Sequence, residues 1–113
     1  MLITVLKSKL HMATITDTLL NYQGSIAVDP KLLKAAGLIP GEKVHVLNFN
    51  NGQRFETYTI SGKKGEISLR GPAARLGKKG ERVIILAYGF IEQKSATKFK
   101  PKIILIDKQN KIK

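Results

Sequence analysis

Apolar and polar positions along this chain alternate in short runs, the length of strands rather than of helices. Val44 and Val46 alternate with polar neighbours, the period of two that marks a strand with one buried face. Leu2–Leu6 and Met12–Ile15 have strand-like composition, and Ser25–Val28, Gln53–Ile60, Ile67–Leu69 and Ile103–Ile106 read as further strands. Val83–Tyr88 is predicted to be a strand buried on both faces. Thr16, Asp17 and Thr18 supply capping side chains for one helical turn ending near Asn21. A short helix is predicted over Lys31–Ala36, with Asp29 as N-cap, Pro30 at the first helical position and Gly37 as the stop. Pro72–Arg75 reads as a helical turn, Gln93–Lys100 as a polar connection and Lys108–Lys113 as a frayed tail.

Asn50-Asn51-Gly52 predicts a type I′ hairpin turn, which needs residues that tolerate positive φ. On the strand that follows, Arg54, Glu56 and Tyr58 share one face, so Arg54 and Tyr58 can enter one site. Phe55, Thr57 and Thr59 share the other, and Thr57 looks elsewhere unless the strand bends or twists. The chain also echoes itself. Ala35-Ala36-Gly37-Leu38 followed by Gly41-Glu42-Lys43-Val44 matches Ala73-Ala74-Arg75-Leu76 followed by Gly80-Glu81-Arg82-Val83, with one extra residue in the second copy.

A length of 113 residues suits one domain. The chain has no cysteine, which removes disulfides and thiolate chemistry and fits a reducing compartment. No apolar run approaches the roughly 20 residues of a membrane helix, and Lys7 and Lys9 precede no apolar core of a secretory signal. P-loop, dinucleotide-binding and His-Glu-x-x-His motifs are missing, and His11 and His45 share no metal-ligand pattern, so no metal is expected. His45 alternates out of phase with Val44 and Val46, as a solvent-facing residue would. The formal charge of +12 raises nucleic-acid or anionic-surface binding as a second reading. The lysines, however, fall in turns (Lys63-Lys64, Lys78-Lys79) and near the C-terminus, with few aromatics between them. The same positive field also draws in a dicarboxylate.

The chemistry-bearing stretch is Tyr22-Gln23-Gly24-Ser25-Ile26. Gly24 has no Cβ, so its carbonyl can be approached closely, and Ser25 carries a hydroxyl one residue on. Gly-Ser is also an ordinary turn dipeptide. Around it stand Lys9-Leu10-His11, Ala35-Ala36-Gly37-Leu38, Asn50-Asn51-Gly52-x-Arg54-Phe55-Glu56-Thr57-Tyr58 and Gly71-Pro72-Ala73-Ala74. In order and spacing, from Met1 to about Asp107, these segments resemble the pyruvoyl-dependent aspartate 1-decarboxylase family.

That resemblance implies an all-β fold, a six-stranded double-psi β-barrel with short helices, and a cytoplasmic homotetramer. It implies a carbon–carbon lyase that converts L-aspartate to β-alanine, a precursor for pantothenate and coenzyme A. Its cofactor would be a pyruvoyl group made from Ser25 when the Gly24–Ser25 bond breaks, leaving pieces 1–24 and 25–113. The ketone would form a Schiff base with the substrate amine and accept the electrons released with CO₂. Tyr58 would donate a proton to Cα. Lys9, His11 and Arg54 would hold the substrate carboxylates, in an assignment left open. Thr57 would assist cleavage and touch substrate, Gly71, Pro72 and Ala73 would offer backbone contacts, and Tyr22 would line the pocket near the cleaved bond. The need for a maturation factor is left open.

One position departs from the resemblance. Arg70 precedes Gly71 where that family usually has asparagine. Arginine cannot accept a hydrogen bond and adds bulk and charge. Arg70 has three candidate partners, a substrate carboxylate, Glu56 or Glu66. An unprocessed relative with an intact Gly24–Ser25 bond is therefore a third reading.

Overall fold

The structure, a computed structural model, describes residues 1–113. Its elements are β1 (Leu2–Thr14), β2 (Asp17–Leu19), β3 (Ser25–Val28), α1 (Pro30–Ala36), β4 (Lys43–Asn48), β5 (Arg54–Ser61), β6 (Ile67–Arg70), a 3₁₀ turn (Gly71–Leu76), β7 (Arg82–Glu92), α2 (Gln93–Ala96) and β8 (Lys102–Leu105). The strands join in the order β2-β6-β3-β5-β4-β7-β1-β8. The expected all-β class holds. The ladder has eight strands rather than six, because β2 and β8 add in parallel to its two ends, on β6 and on β1.

Leu10, Ile26, Val44, Val46, Ile67, Leu69, Val83 and Ile85 come from five strands, and all are at most 1% exposed within one core cluster. The two helices are too short to cover a flat sheet of this width, so the sheet must curl round its own side chains. Each fully buried Leu, Ile or Val contributes roughly 1.5–3 kcal/mol relative to exposure.

Helix α1 forms as its sequence predicts. Asp29 Oδ1 accepts the Lys31 N–H at 2.8 Å, Pro30 opens the helix, and Gly37 closes it at φ 70° with its N–H toward the Leu33 and Lys34 carbonyls. The internal echo is structural too. Gly41 and Gly80 adopt φ of 90° and 92°. The following glutamates each bond back to the residue three earlier: Glu42 N–H to Ile39 O at 3.1 Å, and Glu81 N–H to Lys78 O at 3.0 Å. Each carboxylate also accepts that residue's N–H, at 3.2 Å from Ile39 and 2.8 Å from Lys78. A third copy at Lys63-Lys64-Gly65-Glu66 escaped the sequence comparison. Here Glu66 accepts the Lys63 N–H at 2.8 Å and donates its own to the Lys63 carbonyl at 3.0 Å.

Several expectations are corrected. Leu2–Leu6 and, except for its last residue, Met12–Ile15 are parts of one strand, β1, interrupted by register shifts at Leu6/Ser8 and Leu10/Ala13. At the second shift Met12 takes φ 69°, and Arg82 Nε donates to its carbonyl at 3.0 Å. Asp17 and Thr18 form β2 instead of a helical turn, because β6 offers them a parallel partner. The Asn50-Asn51-Gly52 turn is not type I′: only Gly52 has positive φ, and Asn48 Oδ1 gathers the Asn50 and Asn51 N–H groups. β7 runs beyond Val83–Tyr88 and is not buried on both faces; Val83, Ile85 and Ala87 face the core and their neighbours are partly exposed. Within Gln93–Lys100, Gln93–Ala96 is helical.

The Lys108–Lys113 tail is anchored rather than frayed. Asn110 is 4% exposed, and its Oδ1 accepts the Thr14 N–H at 2.7 Å. Its Nδ2 donates to the Thr14 and Gly65 carbonyls at 2.9 and 3.0 Å. Ile112 bridges back to Ile106.

Candidate active site

The site is built where β2, β6 and β3 meet. β6 lies between the other two, with Arg70 opposite Leu19 of β2 on one side and Ser25 of β3 on the other. Residues 20–24 are therefore a short loop whose two ends are pinned on either flank of Arg70. The next residue, Gly71, turns left-handed at φ 67° and lies against that loop. A Cβ on Gly71 would stand 2.7 Å from Gly24 Cα, Gly24 N and the Tyr22 carbonyl, so only glycine fits. Pro72 Cδ closes the other approach, 3.3 Å from where a Gly24 Cβ would be.

Ser25 is 2% exposed, and its hydroxyl donates to the Gln23 carbonyl at 3.3 Å. Two pockets flank the Gly24–Ser25 bond. One, about 320 Å³, is lined by Gly24, Phe55, Glu56, Thr57, Tyr58, Pro72, Ala73 and Leu76. The other, about 240 Å³, is lined by Tyr22, Gln23, Ser25, Tyr58, Ile60 and Arg70. Tyr58 borders both. Thr57 borders the first pocket as well, together with Phe55, Glu56 and Tyr58 from both faces of β5.

Arg70 takes Glu66 as its partner, not Glu56, which pairs with Lys43 at 2.9 Å. Arg70 Nη2 meets Glu66 Oε2 at 3.1 Å, and its Nε donates to Ser68 Oγ at 3.3 Å. Ser68 Oγ in turn donates to Glu66 Oε2 at 2.7 Å. The guanidinium lies 5.3 Å from the centre of the Tyr22 ring. Burial alone would raise the Glu66 carboxyl, but hydrogen bonds from the Lys63 N–H, Ser68 and Arg70 outweigh it and hold the group below the usual carboxylate range.

The sequence-predicted residues thus divide. Tyr22, Gly24, Ser25, Thr57, Tyr58, Arg70, Gly71, Pro72 and Ala73 gather round one bond. Arg54, exposed at the start of β5, lines neither pocket, and neither do Lys9 and His11. Lys9 and His11 sit on β1, opposite Ile103 and Leu105 of β8. His11 is held below the ordinary histidine range, first by burial and then by the charges of Lys9, Lys113 and Arg82. Its Nδ1 is buried without a partner. His45 is half-buried, its Nδ1 3.3 Å from the Tyr88 hydroxyl. Ser68 and Gln23 were missed. Ser68 was legible, since Glu66, Ser68 and Arg70 are spaced two apart and share a strand face; nothing marked the Gln23 carbonyl. No three His, Cys, Asp or Glu side chains converge as a metal cluster. No helix is long and apolar enough to cross a membrane.

Residues 1–113 match the family described as aspartate decarboxylase. The chain belongs to the aspartate decarboxylase family. The aspartate 1-decarboxylase of Carboxydothermus hydrogenoformans is 52% identical over 114 residues, covering 99% of this chain and 90% of that one. The enzyme of Neisseria meningitidis serogroup C is also 52% identical, over 97% of this chain and 88% of its own. That of Caldicellulosiruptor bescii is 52% identical over 99% and 89%. The reaction of the aspartate decarboxylase family, loss of one carboxylate from aspartate to give β-alanine, makes it a lyase family.

Proposed function

We propose that this chain decarboxylates L-aspartate to β-alanine with a pyruvoyl group made from its own Ser25. The observation that carries this reading is the position of Tyr58, which borders both pockets beside the one Gly-Ser bond. In maturation the Ser25 hydroxyl attacks the Gly24 carbonyl and exchanges amide for ester. Elimination across Ser25 Cα–Cβ frees the Gly24 carboxylate, and the dehydroalanine left behind hydrolyses to the ketone and ammonia. The buried hydroxyl and the close contacts of Gly71 and Pro72 with Gly24 fit a residue 25 that reacts in place. Thr57, in the pocket on the Gly24 side, donates to the oxyanion that develops at that carbonyl.

A pyruvoyl group supplies an electron sink for breaking the carbon–carbon bond. The chain does the rest. Tyr58 holds the proton that Cα receives once the carboxylate has left. Pro72 and Ala73 shape the wall of the pocket on the Gly24 side, and Gly71 lies against Gly24. Arg54 grips a substrate carboxylate with its planar fork, Lys9 holds the other by charge, and the neutral His11 ring adds a hydrogen bond to it. The unpartnered His11 Nδ1 supports this role, since a buried polar atom is costly until a ligand completes it.

Arg54, Lys9 and His11 lie apart from the Gly24–Ser25 pockets, and a neighbouring copy would supply them. This favours a homotetramer in which sites form between chains. Phe90, 80% exposed, with Leu2, Ile103 and Leu105 offers apolar surface for such contacts. The lack of cysteine fits residence in the cytoplasm.

Denaturing intact-mass measurement tests the reading. The expected result is two fragments, 1–24 and 25–113, the larger lacking a free amine and gaining mass on borohydride reduction. A single uncut chain, fresh and aged alike, with no ketone to reduce, overturns it.

A further inference from the structure

We propose that Arg70 is a positioning residue for self-cleavage, acting on the Gly24–Ser25 bond through Tyr22. The inference rests on the cleavage reading above and extends it to a residue outside the reacting atoms.

Four observations converge. The loop of residues 20–24 leaves β2 and enters β3 at Leu19 and Ser25, both opposite Arg70, so Arg70 stands at the base of the loop. Its side chain reaches over the middle of the same loop, with the guanidinium 5.3 Å from the Tyr22 ring centre. That guanidinium cannot wander. It is tied to Glu66 at 3.1 Å and Ser68 at 3.3 Å, and Glu66 is itself fixed by the Lys63 N–H at 2.8 Å in a Gly-Glu turn. Lastly, the Gly71 backbone lies close against Gly24 and the Tyr22 carbonyl.

The loop is thus held by two contacts, one from the Arg70 side chain and one from the backbone that follows it. Tyr22 alone has no reason to stay, since it is 56% exposed and not part of the core. A cation held over its face replaces core packing as the restraint, and half-burial of the Arg70–Glu66 pair strengthens it. Holding Tyr22 fixes the direction of the peptide units at Gln23 and Gly24. Ser25 currently donates to the Gln23 carbonyl, so these units decide which carbonyl the hydroxyl meets. A nucleophile misplaced by about 1 Å can lose two orders of magnitude in rate.

The test is the time course of cleavage, read by denaturing intact mass on full-length chains made fresh. Arg70→Met keeps the bulk of the stem and removes the cation; Tyr22→Leu removes the ring from an exposed position and leaves folding undisturbed. Each is expected to slow cleavage about tenfold, the range a half-buried cation–ring contact can supply. Tyr22→Phe keeps the ring face and should cleave at the parent rate. The double variant Arg70→Met/Tyr22→Leu should be no slower than the singles, because both remove one contact. Additive slowing, or a Tyr22→Leu variant that cleaves at the parent rate, overturns the proposal. A parent chain that never yields two fragments instead overturns the cleavage reading itself, so the two failures are distinct.

Discussion

Gly71 leaves no room for a side chain beside Gly24: a Cβ at residue 71 would stand 2.7 Å from the Gly24 α-carbon. Two residues 47 positions apart in sequence therefore meet backbone to backbone beside the one Gly-Ser bond of the chain.

This contact predicts the outcome of Gly71→Ala. The left-handed backbone costs a non-glycine residue about 1–2 kcal/mol, before the clash is counted. The variant should unfold at lower urea concentration than the parent and remain one uncut chain by intact mass. Cleavage at the parent rate would show that the approach of Gly71 to Gly24 is incidental.

The roles proposed for Tyr58 separate maturation from turnover. Tyr58→Phe removes the proposed proton donor and leaves Ser25, Gly24 and Thr57 in place. The two fragments should still form, while β-alanine production drops by about 10²–10⁴-fold, the usual contribution of a positioned acid. Equal turnover by the variant would assign the proton to another group.

His11 should be neutral at pH 7. Its titration followed by NMR should have a midpoint below 6.5, and Lys9→Met should move it upward by removing one of the charges that depress it. The sign for stability follows from linkage. The folded form binds a proton less readily than the unfolded chain, so folding loses stability as pH falls below about 6.5. A midpoint above 6.5 would mean that an anionic group, not the lysine cluster, faces the ring.

Glu66 acts in a lower window. Its carboxyl is depressed, so the stability it lends is complete above the unfolded value near 4.3 and is lost as pH falls through the folded one. Glu66→Gln should cost about 1–3 kcal/mol at neutral pH and flatten the acid limb of a stability-against-pH curve. An unchanged acid limb would place the titrating group elsewhere.

Asn110 holds the tail to β1. Asn110→Ala removes three hydrogen bonds, strands the Thr14 N–H and carbonyl, and puts alanine at φ 62°. The loss should be about 2–4 kcal/mol by chemical denaturation. Asn110→Asp keeps the acceptor for the Thr14 N–H and should lose less. Equal losses would show that the amide donors matter more than that acceptor.

Much of this was legible in the chain because it is local. Asp29, Pro30 and Gly37 bracket α1 within eight positions, and Ser25–Val28 is a strand with the bounds its composition predicted. The Gly24–Ser25 pair is visible from two adjacent residues, but an ordinary turn has the same pair, and only the resemblance of segments along the whole chain singled it out. Arg70 was flagged as unusual, yet three partners remained open, since Glu56 and Glu66 are equally acidic on paper. Glu66 and Ser68 share the strand face of Arg70, and only the pairing of β6 with both β2 and β3 brings Tyr22 to the same group. Asp17–Leu19 read as a helical turn because capping residues look alike wherever they stand, and β6 supplied a partner that no local signal announces.

Taken alone, the order of residues determined the all-β class, the short helix and its caps, and the repeated Gly-Glu turns. Each depends on steric and hydrogen-bond preferences acting over a few neighbouring positions. The tertiary structure decided which predicted residues share a site, that Thr57 lines the pocket beside Tyr58, that Lys9 and His11 stand apart on β1, and that the tail is anchored by Asn110. Those outcomes turn on strand register and on bulges such as the one at Met12, where one extra residue reverses which side chains face inward. Contacts between residues far apart in the chain are set when the strands pair, and no local preference encodes them.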